Sequence, residues 1–177
     1  MDRIFKMSYL RYTFLVLVWA CTQCFAQQVP HCPQVMDYAE HKLPHCGVLK
    51  MTKTFVYVDL DDAYIHSLIS FIQEEGFQEP PYFGNPYTEG AHISVVYPDE
   101  MEKYGIKKIS ECGEVIYFTP KTCKVVHPPK WEGIDEVYFI VVEAPQLEKI
   151  RKKYGLPLQN FDFHITIGVK PKKAKAA

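Results

Sequence analysis

The chain has 177 residues, with 20 basic and 21 acidic side chains and a formal charge of −1 at pH 7. This near-neutral balance excludes the strongly basic surface of a protein that coats long nucleic acids. The length suits one well-packed domain.

Residues 1–26 have the pattern of a secretory signal peptide. Basic residues precede an apolar run at 14–20, and Ala26 ends a segment that a signal peptidase can cleave. The apolar run is shorter than the ~20 residues that span a bilayer. A lipoprotein signal ending at Cys21 is the alternative, although Trp19 fits it poorly. We therefore predict cleavage after Ala26, export, and no membrane attachment of the mature chain.

The cysteines beyond the predicted signal peptide are Cys32, Cys46, Cys112 and Cys123. An even number of cysteines in an exported chain predicts two disulfides, with three possible connectivities. Pairing of sequence neighbours is the economical choice, so we expect Cys32–Cys46 and Cys112–Cys123. The second bond would clip a hairpin of strands at 114–118 and 122–126. The short paired spacing of zinc sites is absent, so the cysteines do not predict a metal site. We expect residues 27–53 to be an N-terminal extension that is stapled by a disulfide.

A strand–helix–strand unit is predicted to begin at residue 54. Residues 54–60 favour a strand, and Asp61 or Asp62 can cap the helix that follows. Gly76 lies where a left-handed residue ends a helix. A loop rich in proline and glycine then leads to a strand around His92. The apolar stripe of the helix is Ile65, Leu68, Ile69 and Ile72, at the i, i+3, i+4, i+7 spacing.

The same order of elements recurs in residues 136–170. A strand at 136–142 is followed by a helix that begins at Pro145 and ends at Gly155, and then by a strand around His164. A repeated unit of this kind predicts a bilobal fold with a pseudo-two-fold axis. The two histidine strands would then face a shared cleft.

Two further segments have no assigned chemistry. The basic tail at 171–177 is most simply solvated. Aromatic residues in the long loop could stack on an unpaired base or pack the loop onto the body, and the sequence leaves both interpretations open. These aromatic residues are Tyr82, Phe83 and Tyr87.

Each predicted unit ends in a strand that contains a histidine, an apolar residue and a hydroxyl residue. The two segments are Ala91-His92-Ile93-Ser94-Val95 and Phe163-His164-Ile165-Thr166-Ile167. Side chains alternate along a strand, so His92 shares a face with Ser94, and His164 shares a face with Thr166. Chance gives about half of one such tripeptide in this composition, so two copies at equivalent positions predict a function.

Two imidazoles and two hydroxyls around one cleft fit phosphoester chemistry. Histidine has an unperturbed pKa of ~6.5, so one imidazole can act as a base and the other as an acid at working pH. We therefore predict His92 and His164 as catalytic residues, with Ser94 and Thr166 binding the non-bridging oxygens of the substrate. This chemistry requires no metal and no cofactor. The repeat hides which histidine is the acid.

The two motifs resemble those of the two-histidine (2H) phosphoesterase superfamily, in which apolar–His–x–Thr/Ser–apolar occurs twice. The resemblance covers a domain at 54–170, and Ser94 in place of threonine is within the pattern. It implies an α+β fold with two antiparallel sheets flanking a central cleft and helices on the outside. It also implies a metal-independent phosphodiesterase that acts on 2′,3′-cyclic phosphates or related nucleotide or RNA-end phosphodiesters. We expect a monomer.

Two hypotheses from other classes remain. One is a non-catalytic exported module that binds a nucleotide or an RNA end in the same cleft. The other is a disulfide-stapled interaction domain in which the histidines have no chemical role. Metal-free turnover of a 2′,3′-cyclic nucleotide distinguishes the enzyme from both, whereas binding without turnover favours the module.

Overall fold

The computed structural model describes residues 29–81, 89–129, 131–158 and 162–173. The predicted signal peptide, the loop aromatics Tyr82, Phe83 and Tyr87, and the last four residues of the basic tail lie outside these ranges. Within the ranges, no helix combines the length and the apolar character needed to cross a bilayer.

The described residues form an α+β fold with one antiparallel sheet. Its strands are β1 (Cys46–Met51), β2 (Val56–Asp59), β3 (His92–Val96), β4 (Val115–Tyr117), β5 (Thr119–Val126), β6 (Ile134–Glu143) and β7 (His164–Pro171). The α-helices are α1 (Cys32–Lys42), α2 (Ala63–His66), α3 (Pro98–Lys103) and α4 (Pro145–Lys153). The strand order is β4-β1-β2-β3-β7-β6-β5, so the two histidine strands are neighbours at the centre.

Both predicted strand–helix–strand units are present, as β2-α2-β3 and β6-α4-β7. Within each unit the two strands are antiparallel neighbours. Ile93, Ile165 and Ile167 are fully buried, so the core lies behind the histidine strands. Helix α4 begins at Pro145, and Gly155 follows its end in the left-handed conformation with a φ of 69°.

The first unit contains less α-helix than the sequence predicts. Helix α2 is short, and 3₁₀ turns continue the segment at Ile69–Phe71 and Gln73–Glu75. The apolar positions remain buried because residues three apart also share a face in a 3₁₀ helix. Gly76 ends the segment with a φ of 88°.

The structure has one sheet where the sequence predicts two sheets flanking a cleft. Strands β3 and β7 pair at Ile93 and Ile165 and join the two units edge to edge. Neither two separate sheets nor a pseudo-two-fold axis is confirmed. The histidines therefore lie on one face of a continuous surface.

The predicted hairpin between residues 114–118 and 122–126 is wrong. Strands β4 and β5 lie at opposite edges of the sheet, where β4 pairs with β1 and β5 pairs with β6. The residues expected to form the turn belong to β5, and Thr119 and Pro120 pair with β6. Only Phe118 separates β4 from β5, so the sheet must curl enough to bring its two edges together there.

The cysteines are also arranged differently from the expected pairing of sequence neighbours. All four are thiols, and the Cys123 N–H donates to Cys32 Sγ at 3.2 Å. Cys32 is the first residue of α1, whose 11 residues extend about 16 Å, and Cys46 follows the last residue of that helix by four positions. Cys112 lines a surface hollow with Met51, and the hairpin that would have joined it to Cys123 is absent.

Within the segment at 27–53, expected as an extension, the described residues 29–53 contribute to the body of the fold. Strand β1 lies inside the sheet, between β4 and β2. Helix α1 buries Val35 and Ala39 completely in the main core. Both elements therefore pack with the rest of the described chain.

Candidate active site

The four predicted site residues come together on the face of the sheet opposite the core. In the antiparallel β3–β7 register, His92 lies across from Thr166 and Ser94 lies across from His164. All four side chains are half-buried. The two histidines are therefore diagonal neighbours, a relation in which residues are about 7–8 Å apart. This separation lets two imidazoles flank one phosphate group.

Each imidazole is held by a carbonyl two residues earlier. His92 Nδ1 donates to Gly90 O at 2.8 Å, and His164 Nδ1 donates to Asp162 O at 3.0 Å. A carbonyl can only accept, so these bonds select the neutral tautomer in which Nε2 carries the lone pair. Nε2 is therefore the atom of both rings that can exchange a proton with a substrate.

The backbone that holds His92 is fixed by Asp62. This residue, predicted as a possible helix cap, makes no capping bond to α2. Its Oδ1 atom instead accepts the Ala91 N–H at 2.9 Å. A Cβ on Gly90 would lie 2.0 Å from the same oxygen, so a larger residue there would displace the Asp62 carboxylate from this bond.

Aromatic rings surround His92. The ring centroids of Phe55 and Tyr57 lie 5.6 and 5.8 Å from that of the imidazole, both in edge-to-face geometry. Phe55 also stacks on Tyr57 at 5.4 Å and lies 6.2 Å from Tyr97. These rings form an aromatic cluster, and such surfaces stack on nucleobases and other planar groups.

His164 is enclosed by a different neighbour, Phe139. The two ring centroids are 4.6 Å apart, and Phe139 lies across from Thr166 in the β6–β7 register. Burial lowers the pKa of His164, the nearby His92 lowers it further, and the hydrogen bond to Asp162 opposes both effects. His164 is therefore neutral at neutral pH.

An ion pair lies on each side of the histidines. Lys50 Nζ is 2.6 Å from Asp59 Oδ2, and Lys124 Nζ is 2.5 Å from Asp162 Oδ2. Asp59 lies directly across from His92 in the β2–β3 register. Because the carboxylates balance the two lysines, these pairs add no net positive charge to the face.

Tyr97 connects to the site through Ser94. Burial raises the pKa of Tyr97, and a hydrogen bond between its hydroxyl and that of Ser94 opposes the shift. The Tyr97 N–H donates to Glu100 Oε2 at 3.1 Å at the start of α3. The orientation of the Ser94 hydroxyl is thus coupled to the end of β3.

A fully buried arginine ties the two histidine strands together. Arg151 on α4 makes a bidentate ion pair with Glu100, with Nη2–Oε1 and Nη1–Oε2 distances of 2.6 and 3.0 Å. It also donates to Val95 O on β3 and to Pro157 O in the segment that leads to β7. Burial by itself would raise the pKa of Glu100, but hydrogen bonds, chiefly from Arg151, outweigh it and lower the pKa.

Among the described residues, one group of three side chains has the spacing of metal ligands, formed by His127, Asp135 and Glu136. Along β6, Glu136 is about 17 Å from Val141, which pairs with the second histidine. His127 Nδ1 donates to Asp135 O at 2.9 Å, and Glu136 forms an ion pair with Lys170 at 3.0 Å. The group is therefore separate from the histidine pair.

The family model of the Swiss Army Knife 2H phosphoesterase domain matches residues 56–174. Searches among curated proteins and among solved structures gave no match. Because the family match covers most of the chain and both histidine strands, the protein belongs to the 2H phosphoesterase superfamily. This membership supports phosphoester hydrolysis as the general activity.

Sequence reasoning missed the residues that make the two histidines different. Tyr57 on β2 and Phe139 on β6 lie on the same face of the sheet as the histidines, as alternation along each strand predicts. Alternation identifies them as neighbours of the site only when the strand order is known. Arg151 follows Leu147 by four positions on α4, so its place on the buried stripe is a local signal. Tyr97 carries no such signal.

Proposed function

We propose that the protein is a metal-independent phosphodiesterase that opens 2′,3′-cyclic phosphates, or related nucleotide and RNA-end phosphodiesters, by acid–base catalysis with His92 and His164. The observation that carries the proposal is the β3–β7 register, in which each imidazole lies across from a hydroxyl and diagonal to the other imidazole. Ser94 and Thr166 can donate hydrogen bonds to the non-bridging oxygens as charge builds in the transition state.

The different surroundings of the two histidines support a division of roles. His164 acts as the base, because its lowered pKa keeps it neutral at working pH. Its Nε2 takes a proton from water while the water oxygen bonds to phosphorus. The bond from phosphorus to the ribose oxygen breaks, and His92, which enters this step protonated on both ring nitrogens, gives its Nε2 proton to that oxygen and is left as the neutral Nδ1–H tautomer.

The aromatic cluster beside His92 supports an orientation of the substrate. A nucleobase of the substrate that stacks on Phe55 or Tyr57 places the ribose attached to it next to the imidazole of His92. In a 2′,3′-cyclic nucleotide this ribose carries the leaving oxygen. The acid and the leaving oxygen therefore meet on the same side of the site.

The test is turnover of 2′,3′-cyclic nucleotides by the full chain with a chelator present. We expect a nucleoside monophosphate product, loss of turnover in His92→Ala and His164→Ala, and unchanged turnover in His127→Ala, the matched control for an exposed histidine. Loss of turnover on adding chelator would contradict the mechanism. Binding of the nucleotide without turnover would overturn the enzyme in favour of the binding module.

We also propose that the protein acts after export. The basic residues and apolar run within 1–26 support this proposal. Expression of the full chain in a secreting host should yield a product whose N-terminal residue is Gln27. Retention of residues 1–26 on the folded product would contradict it.

A further inference from the structure

Two of the four cysteines in the described residues approach each other where helix α1 meets the edge of the sheet. The Cys123 N–H donates to Cys32 Sγ at 3.2 Å, and Cys123 Sγ lies 3.8 Å from Cys32 O. Each sulfur therefore touches the backbone of the other residue. Such contacts bring the two α-carbons close to the ~4.4–6.8 Å separation found in disulfides.

The surroundings hold both residues in this position. Cys32 is the first residue of α1, and Cys123 lies in β5, an edge strand of the sheet. The hydroxyl of Tyr138, a fully buried residue on β6, donates to Pro30 O at 2.8 Å. The chain just before Cys32 is thus fixed to the same strand pair that carries Cys123.

The other two cysteines are not arranged for a bond with each other. Cys46 pairs with Tyr117 at the start of β1, whereas Cys112 precedes Tyr117 by five residues and lines a hollow at the Met51 end of β1. The Gly113 N–H, next to Cys112, donates to Leu49 O, which is three residues beyond Cys46 along β1, so the two cysteines are separated by about 10 Å or more along the strand. A disulfide between them would require movement of the backbone.

We propose that Cys32 and Cys123 form a disulfide that fastens helix α1 to strand β5, while Cys46 and Cys112 remain thiols. Glutathione disulfide, or another small or protein disulfide, is the oxidant. Half-buried Cys32 attacks it as a thiolate and releases one thiol, and Cys123 then attacks the mixed disulfide and releases the second. The two cysteines lose two protons and two electrons, which the oxidant gains as two thiols.

The order of attack follows from the accessibility of the two thiols. Cys123 is buried, and burial raises the pKa of its thiol, so it is the weaker first nucleophile. Removing Cys123 should therefore trap the mixed disulfide on Cys32. This intermediate gives a signature that a random surface oxidation would not produce.

The bond would close a long loop, because its partners are 91 positions apart. Cross-links of this kind restrict the unfolded chain, and the melting temperature of the oxidised protein should exceed that of the reduced protein by about 5–15 °C. The inference does not depend on the proposed enzymatic activity.

The experiment is disulfide mapping of the full chain. The reduced, folded protein is incubated with glutathione disulfide, alkylated, digested with trypsin without reduction, and analysed by mass spectrometry. Cleavage after Lys121 and Lys124 isolates Cys123 in a peptide with no other cysteine. We expect this peptide to be linked to the one that contains Cys32, fragmentation of the linked pair to place the bond at Cys32 rather than at Cys21 or Cys24 of the same tryptic peptide, and Cys46 and Cys112 to be alkylated.

The variants assign the bond. Cys32→Ser should abolish the link and the rise in melting temperature, Cys123→Ala should accumulate the glutathione adduct on Cys32, and Cys46→Ser, the matched control, should change neither result. Alkylation of both Cys32 and Cys123 in the oxidised wild type would overturn the proposal. Persistence of the Cys123 link in Cys32→Ser would overturn it too.

Discussion

The two histidines occupy matching positions on neighbouring strands, yet they have different surroundings. Each donates its Nδ1–H to the carbonyl two residues earlier. His92 lies beside the edge-on rings of Phe55 and Tyr57, whereas His164 lies closer to Phe139 and has a lowered pKa. A duplicated motif therefore need not have duplicated proton chemistry, because the pKa depends on what the rest of the fold packs against it.

The supports behind the two strands differ in the same way. The backbone before His92 is held by the Asp62 carboxylate, which occupies the space that a Cβ on Gly90 would take. The backbone before His164 is held from the other side, where Lys124 pairs with Asp162 near the surface. Arg151 donates to Val95 O on the strand of His92 and to Pro157 O in the segment that leads to the strand of His164. This one side chain therefore supports both histidine strands.

Removing either histidine is expected to have the largest effect. His92→Ala and His164→Ala should each lower kcat by about 10²–10⁴-fold, the range for general acid–base groups. The double variant should lose less than the product of the single losses, because both groups act on one transition state. Steady-state kinetics on a 2′,3′-cyclic nucleotide measures this. Independent, multiplicative losses would show that the histidines do not work as a pair.

The second largest effect is expected on stability, when the ion pair between Arg151 and Glu100 is broken. Glu100→Gln leaves the buried Arg151 without its charged partner and should lower the free energy of unfolding by about 3 kcal/mol. The folded pKa of Glu100 is lowered, so its contribution is complete above its ordinary pKa and is lost as the pH falls through the folded value. Urea unfolding should therefore show a gap between wild type and variant at pH 7 that narrows below about pH 4. A constant gap down to pH 2 would contradict this origin.

The hydroxyls should have smaller effects on turnover than the histidines. Ser94→Ala and Thr166→Ala each remove one hydrogen bond to a charged phosphate and should lower kcat/KM by about 10- to 100-fold. Tyr97→Phe removes the hydroxyl that bonds to Ser94, on the strand of His92. Its lowering of kcat/KM should disappear in the Ser94→Ala background and persist in the Thr166→Ala background. Equal effects in both backgrounds would refute the coupling.

The smallest expected effect is the most direct test of the asymmetry. Phe139→Ala should admit water to His164 and raise its lowered pKa towards the ordinary value. Activity that requires neutral His164 should then fall at a higher pH on the acid side of the profile. Phe139→Leu, which keeps the site covered, is the control and should shift the acid limb less. An acid limb that moves to lower pH in Phe139→Ala would show that His164 is not the base.

Local pattern was enough to predict much of this site. Alternation along a strand places His92 with Ser94 and His164 with Thr166, whatever the strands pair with. The two units and the end of α4 at Gly155 follow from apolar spacing and from the conformational freedom of glycine. These features depend on residues that are only a few positions apart in the chain, so they can be read directly from the sequence.

Features that depend on distant neighbours were not predictable in this way. The hairpin through Thr119 was plausible locally, but its strands bond to β1 and β6 at opposite edges of the sheet. The cysteine contact between Cys32 and Cys123 joins positions 91 apart and could not be found by economy of sequence spacing. Hydrogen-bond partners across a sheet are set by strand order, which local propensity does not encode.

The sequence by itself therefore determined which chemical groups share a strand face, and membership of the superfamily followed from them. Only the tertiary structure decided that β3 and β7 are adjacent, which sets the imidazoles on a diagonal. The fold also placed Phe139 against one histidine and the Phe55 cluster against the other. Proton affinity depends on burial and on nearby charge, and those are properties of the packed molecule.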